Sequence, residues 1–218
     1  MVIGVIQASS QSGKNELIFD SVSKYASDHK VINFGCKPDE ETRYSYIEIS
    51  VLVGLLLSSG SVDLVVTGCS SGQGMMLACN NMPGVLCGYI PTPMDAYLFA
   101  QIHNGNAVSL PLGEGYTWNG KENMDQTIER LFSEPWGQGF PKSEAARKLE
   151  DTRVLKKIRS DSQVSMPELL RGMDRTLLEK VLCKKDVLDF ILSNGKDEAL
   201  VSLLKDMCGQ DTGSRSDR

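Results

Sequence analysis

The stretch Val62-Asp63-Leu64-Val65-Val66-Thr67-Gly68-Cys69-Ser70-Ser71-Gly72-Gln73-Gly74 carries the clearest structural statement in the 218-residue chain. Val62–Thr67 is apolar and β-branched without alternation, the pattern of a strand buried on both faces of a parallel sheet. It runs directly into small polar residues and glycines, after which a short helix is expected. Reading outward, Tyr46–Ser58 before it predicts a long, mostly buried helix, and Val31–Phe34 a strand stopped by Gly35. Asn15–Ser27 places Leu17, Ile18, Val22 and Tyr25 near helical spacing, and Val2–Ile6 reads as the first strand, ending in the polar loop Gln7–Gly13. Downstream, Val85–Tyr89 and Ala107–Leu112 are strand-like and flank a helix over Met94–Ile102. This alternation specifies an α/β fold, a parallel five-stranded sheet with helices on both faces.

The chain changes character after a closing helix over Asn123–Phe132. The Pro/Gly-rich stretch Glu134–Pro141 breaks the pattern, and from Ser143 the reading is entirely helical. Ser143–Ile158 is charged and amphipathic, and Ser165-Met166-Pro167-Glu168 is a helix start. Leu177–Cys183, Val187–Leu192 and Glu198–Met207 follow, with Asn194-Gly195 as a stop. The expected division is a sheet domain over 1–150, a helical extension over 151–208 and a loose tail over 209–218. The extension's apolar stripe, which includes Leu177, Val181, Leu188, Ile191, Leu200 and Leu204, requires a surface to bury it.

Composition narrows the function classes. Hydrophobic content of 41% and charged content of 23% describe an ordinary globular chain. Net charge of −5 argues against a nucleic-acid partner, since a phosphate backbone demands a basic face. The longest apolar run, Val51–Leu57, is too short to span a membrane, and MVIGVIQASS lacks the basic flank of a signal peptide. The six cysteines form no CxxC pair, and the two histidines are too few for a histidine-rich metal site. The expectation is a cytoplasmic protein with free thiols, no metal and no cofactor.

Parallel sheets bind ligands outside the carboxyl ends of their strands, which is where Cys69–Gly74 falls. Small residues let the backbone fold into a cup of N–H groups, and a following helix N-terminus adds positive potential. Both favour an anion and a thiolate, so Cys69 is a candidate base or nucleophile. The plainer reading is a tight turn with a buried structural cysteine. Ala8-Ser9-Ser10-Gln11-Ser12-Gly13-Lys14-Asn15 lacks the first glycine and the metal-binding Ser/Thr of a P-loop, which rejects nucleotide hydrolysis. Ser9, Ser10, Gln11 and Lys14 remain as pocket candidates, against a reading as a helix cap with a solvated lysine.

The run Val66–Met75, followed by Ala78-Cys79-Asn80-Asn81-Met82-Pro83-Gly84-Val85, resembles the RpiB/LacA/LacB sugar-phosphate isomerases. That family carries C-G-T-G-x-G, a short helix ending in A-x-N-K, and P-G or A-G before the next strand. The likeness covers about residues 1–150, and the Cys69–Gly84 block carries it. It implies a Rossmann-like three-layer sandwich, a homodimer or dimer of dimers with sites at the interface, and metal-free aldose–ketose isomerisation of a sugar phosphate. Ribose 5-phosphate and galactose 6-phosphate are the implied substrates. In the implied mechanism Cys69 takes the C2 proton of an open-chain aldose, and Ser70, Ser71, Gly72, Gln73 and Gly74 hold the cis-enediolate. Ser71 stands where the family has threonine, Asn80 matches the asparagine ending the short helix, and Tyr44 falls near a pocket tyrosine.

The departures are specific. The family's Asp-His after the first strand is replaced by Gln7-Ala8-Ser9-Ser10-Gln11. Anchoring its H-N-x-x-N motif on Asn106 puts Ile102 in the ring-opening position, with His103 one residue late and Asn104 beside it. The arginine after the next strand is absent from Pro111–Glu114, which leaves Lys14, Lys142 or Arg147 to anchor phosphate. A divergent isomerase is the main expectation. A sugar-phosphate-binding regulator without turnover, or an isomerase of non-phosphorylated or acidic sugars, are the alternatives.

Overall fold

A computed structural model of the protein describes residues 1–210; residues 211–218, most of the expected tail, lie outside it. Five strands form one parallel sheet: β1 (Val2–Val5), β2 (Lys30–Asn33), β3 (Leu64–Cys69), β4 (Cys87–Tyr89) and β5 (Ala107–Pro111), in the order β2-β1-β3-β5-β4. The chain leaves β1 toward β2 and returns on its other side as β3, so a crevice opens between the carboxyl ends of β1 and β3. Cys69 closes β3 there, paired in register with Pro111.

The helices are α1 (Asn15–Tyr25), α2 (Tyr46–Ser58), α3 (Gln73–Asn80), α4 (Pro93–Leu98), α5 (Gly120–Leu131), α6 (Ala145–Ser162), α7 (Met166–Gly172), α8 (Arg175–Leu182), α9 (Lys185–Asn194) and α10 (Glu198–Gln210). Sheet residues alternate between two cores. Ile3, Val5, Leu64, Val66 and Val108 pack with Ile18, Val22, Met124 and Ile128 of α1 and α5, whereas Val65 and Ala107 pack with α2 and α3. Two sequence readings shift. The loop after β1 is not open: Ser9–Lys14 forms a 3-10 turn, and Gln7 is buried. Its amide donates to Cys36 O at 2.8 Å and accepts from Asn15 Nδ2 at 3.0 Å, so a buried polar side chain is satisfied locally. The helix expected over Met94–Ile102 forms but widens after Leu98 into a π-helical turn, Phe99–His103, capped by Asn104 at φ 44°.

The extension is covered by the same core as the sheet. Helix α2 is apolar all round, so the sheet buries one side and leaves the other needing a cover. Leu170, Val181, Leu188, Ile191, Leu200 and Leu204 supply it, in one cluster with Leu52, Val53 and Leu56. The contact is close: a Cβ on Gly54 would stand 2.6 Å from Met166 Cε. The boundary expected at residue 150 falls inside α6, which runs unbroken from the sheet domain toward this cover. Among the described residues no helix is long and apolar enough to cross a membrane.

Candidate active site

Cys69 is 7% exposed and opens onto a cleft of about 330 Å³ lined by Ala8, Ser10, Tyr44, Ser45, Tyr46, Ser70, Ser71, Gly74 and Tyr116. Three segments build it. Gly68 and Cys69 end β3 against β5, where Leu112 N donates to Cys69 O at 3.0 Å and Gly113 N to Ser70 O at 2.9 Å. The chain then reverses at Gly72, whose φ of 73° suits glycine, and enters α3. A Cβ there would lie 2.7 Å from the Tyr89 ring and 2.9 Å from Pro111 N, so the position is closed by sterics as well as by φ. Ser109, fully buried in β5, donates to Gly72 O at 2.6 Å and fixes the turn from below. Gly74, in the first turn of α3, lines the cleft, and the first N–H groups of a helix have no intrahelical partner.

The second wall comes from β1. Gln11 Nε2 donates to Ser70 Oγ at 3.0 Å, bringing together two residues that the sequence nominated separately. Ser9 is buried, and its polar atoms are committed: it donates N–H to Tyr44 O, accepts from Tyr44 N at Oγ, and accepts from Arg43 at its carbonyl. It therefore fixes Tyr44 instead of facing the cleft. Lys14 lies on the same side of the sheet, 3.6 Å from Glu114 and over the Trp118 ring at 4.6 Å, and is not among the cleft-lining residues. Tyr44 forms the third wall; burial, with Cys183 next, pushes its phenol up to about 12, so it stays protonated through the neutral range.

Four nominated residues stand elsewhere in the single chain. The Asn80 side chain binds Cys87 N at 3.0 Å and Cys87 O at 2.8 Å, tying α3 to β4. It completes the main-chain bonding of an edge strand, and the cleft does not include it. His103 and Asn104 precede β5, at the amino end of the sheet. Ala107 pairs with Val65 and Pro111 with Cys69, so about 13 Å of strand separates the two ends. Burial, then the Lys148 charge, lowers the His103 pKa and keeps its ring neutral. Arg147, on the first turn of α6, is exposed and pairs with Glu144 and Asp151 at that same end. Ser10, a pocket candidate in the sequence, lines the cleft, whereas sequence reasoning missed Ser45, Tyr46 and Tyr116. Ser45 had a signal, because Ser45-Tyr46-Ile47-Glu48 is a capping box, which the structure forms.

A family model described as Ribose/Galactose Isomerase matches residues 3–151. The crystal structure of 4-deoxy-L-threo-5-hexosulose-uronate ketol-isomerase complexed with a tartrate is 33% identical, with a TM-score of 0.90 over 96% of this chain and 100% of that one. The ribose-5-phosphate isomerase LacAB_rpiB from Vibrio parahaemolyticus is 31% identical, with a TM-score of 0.88 over 95% and 99%. Both alignments extend through the helical extension. The type B ribose 5-phosphate isomerase of Trypanosoma cruzi, 19% identical with a TM-score of 0.58 over 72% of this chain, shares the fold. No curated protein sequence matches.

Proposed function

The chain belongs to the ribose/galactose isomerase family, and from that premise we propose that it interconverts an aldose and its ketose through a cis-enediolate with Cys69 as the base. The observation that carries the reading is the cleft at the carboxyl ends of β1 and β3, where Cys69 stands with Ser70, Ser71 and the start of α3, on a turn that Ser109 ties at Gly72. In the proposed cycle Cys69 Sγ removes the proton at C2 of the open-chain aldose. Negative charge develops on the former carbonyl oxygen, where the loop amides and Ser71 Oγ stabilise it. The thiol then delivers the proton to C1 as the hydroxyl proton on O2 passes to O1, which leaves a carbonyl at C2 and a hydroxyl at C1, and no redox partner is needed.

We further propose that the site is completed by a second copy of the chain. His103, Asn104 and Arg147 sit at the far end of their own sheet, so they reach a Cys69 cleft only across a symmetric contact. His103 is neutral near pH 7, the form that accepts a proton from a ring hydroxyl.

The substrate class that fits best is an open-chain sugar without phosphate, of the hexuronate kind. Within one chain hydroxyls and phenols line the cleft and no lysine or arginine is among its described lining residues, so the one cation supplied by the partner's Arg147 suits a singly charged carboxylate better than a phosphate dianion. The full-length likeness to a hexosulose-uronate ketol-isomerase supports this class, and the similar likeness to a ribose-5-phosphate isomerase supports a phosphorylated one. A panel of free aldoses, hexuronates, ribose 5-phosphate and galactose 6-phosphate, followed for binding and turnover, tests the choice. Turnover of a hexuronate above every phosphate is expected. Preference for a phosphate overturns the substrate class, and binding without any conversion overturns the isomerase reading in favour of a regulator.

A further inference from the structure

Two lysines of the extension reach into the sheet domain at one place. Lys184, at the turn between α8 and α9, is 4% exposed, and its Nζ lies 2.7 Å from Glu40 Oε1 and 3.2 Å from Asp186 Oδ2. Lys180 on α8 reaches Glu48 Oε1 at 2.8 Å, and the other oxygen of Glu48 accepts from Ser45 N and Ser45 Oγ. Glu40 and Glu48 bracket Tyr44, Ser45 and Tyr46, the residues that form one wall of the Cys69 cleft. Tyr44 is a partition. One side lines that cleft, and the other lines a second cleft of about 500 Å³, shared with Glu40, Cys183 and Lys184. Lys184 Nζ stands 5.9 Å from the Tyr44 ring centroid.

The arrangement costs desolvation, so it calls for a reason. Burying an ammonium is expensive unless it is paired, and an apolar residue would fill the space without that expense. Burial pulls the Lys184 pKa down, yet the Glu40 bond and the Asp186 charge outweigh it and hold the ammonium above its ordinary value. The cation is therefore permanent. Residues 35–44 contain no helix or strand; the loop is tied near its ends, Cys36 to Gln7 and Tyr44 to Ser9, and Lys184 holds its middle at Glu40.

We propose that the helical extension is a clamp on the sugar cleft, with Lys184 as a positioning residue that holds Tyr44 through Glu40. The proposal rests on the assignment of the Cys69 cleft as the sugar site. Lys184 touches no reacting atom; it acts by fixing the loop that carries Tyr44, and Lys180 fixes the neighbouring turn through Glu48. The extension thereby makes the shape of the cleft depend on α8 and α9, elements well outside the strand ends that supply Cys69.

The test is Lys184→Met in the full chain, with Lys184→Arg as the rescue variant. Hydrogen exchange reads the clamp without substrate. The Ser9 and Tyr44 amides are expected to exchange about tenfold faster in Lys184→Met, with the Val65 and Val66 amides of β3 unchanged. With the fastest-turning sugar of the panel, KM is expected to rise about tenfold with kcat within about threefold, and Lys184→Arg to recover most of both effects. Folded Lys184→Met with wild-type exchange at Ser9 and Tyr44 overturns the clamp; faster exchange with unchanged KM overturns its reach into the cleft. If Lys184→Met does not fold, Glu40→Gln, at the less buried partner of the pair, is read by the same two measurements and the same criteria. If the wild type turns over no sugar, the isomerase reading fails by itself, and the exchange data still decide whether the clamp exists.

Discussion

Replacing Gly72 by alanine tests how the enediolate loop is held. At φ 73° a Cβ costs about 1–2 kcal/mol in backbone strain alone. The added methyl would also meet Tyr89 Cε2 at 2.7 Å, Pro111 N at 2.9 Å and Leu110 C at 3.0 Å. Two of these are backbone atoms of the central sheet, which do not yield, so overpacking adds about 1–3 kcal/mol. The sum, about 2–5 kcal/mol, corresponds to a fall in Tm of about 5–15 °C for a chain of this size. Relief comes by swinging the turn away from β5, which breaks the Ser109–Gly72 bond and moves the start of α3. A displacement on the order of 1 Å there lowers turnover about a hundredfold. Gly84→Ala is the control: its φ is 72° but nothing lies within 4 Å of its Cβ, so it bears the strain without the clash. Thermal unfolding of both variants and C2 proton exchange measure the two effects. If Gly72→Ala and Gly84→Ala fall equally in Tm, and Gly72→Ala exchanges at the wild-type rate, the steric account of the loop is refuted.

Three other outcomes are expected. Asn80→Ala unpairs the main chain of Cys87 and lowers stability by about 1–3 kcal/mol, with KM unchanged in the folded variant; a raised KM returns Asn80 to the sugar site. Burial alone raises the Glu48 carboxyl, but the Lys180 and Ser45 bonds outweigh it and hold it below its ordinary range. The pair therefore stabilises the fold above the unfolded carboxylate pKa and is lost as pH falls through the lower folded value. Glu48→Gln should lower Tm at pH 7 by an amount that shrinks toward zero as pH falls below the folded carboxyl pKa, about 1 kcal/mol at most after solvent screening; a gap that persists in strong acid contradicts this. Finally, equal mixing of Cys69→Ala and His103→Ala chains should restore about a quarter of wild-type turnover, because half the dimers then hold one intact site of two. Two inactive parents that stay inactive after subunit exchange contradict the two-copy site.

Much of this was legible in the residues. The unbroken apolar run of β3, its collision with Gly68–Gly74 and the alternation around it determined sheet, crevice and loop together. Helix α2 announced that it needed two covers, since Val51–Leu57 leaves no polar face, and the stripe of the extension was the matching surface. The site was legible where it is local, at Cys69–Gly74, and less so where it depends on which end of the sheet a residue occupies. Asn80, His103, Asn104 and Arg147 were nominated by motif, and a motif does not say whether a side chain is consumed by the main chain or stands at the amino end of its own strand. Lys184 was hidden for a related reason. In sequence it is one lysine in a charged turn, and only tertiary packing brings it 2.7 Å from Glu40.

The most direct test of the central claim is deuterium exchange at C2 of the preferred panel sugar in D2O, followed by proton NMR with wild type and Cys69→Ala. The account expects wild type to exchange the C2 proton and the folded variant to lose at least about a hundredfold in exchange rate, the contribution of a positioned base. Exchange by folded Cys69→Ala at a rate near that of the wild type would contradict it.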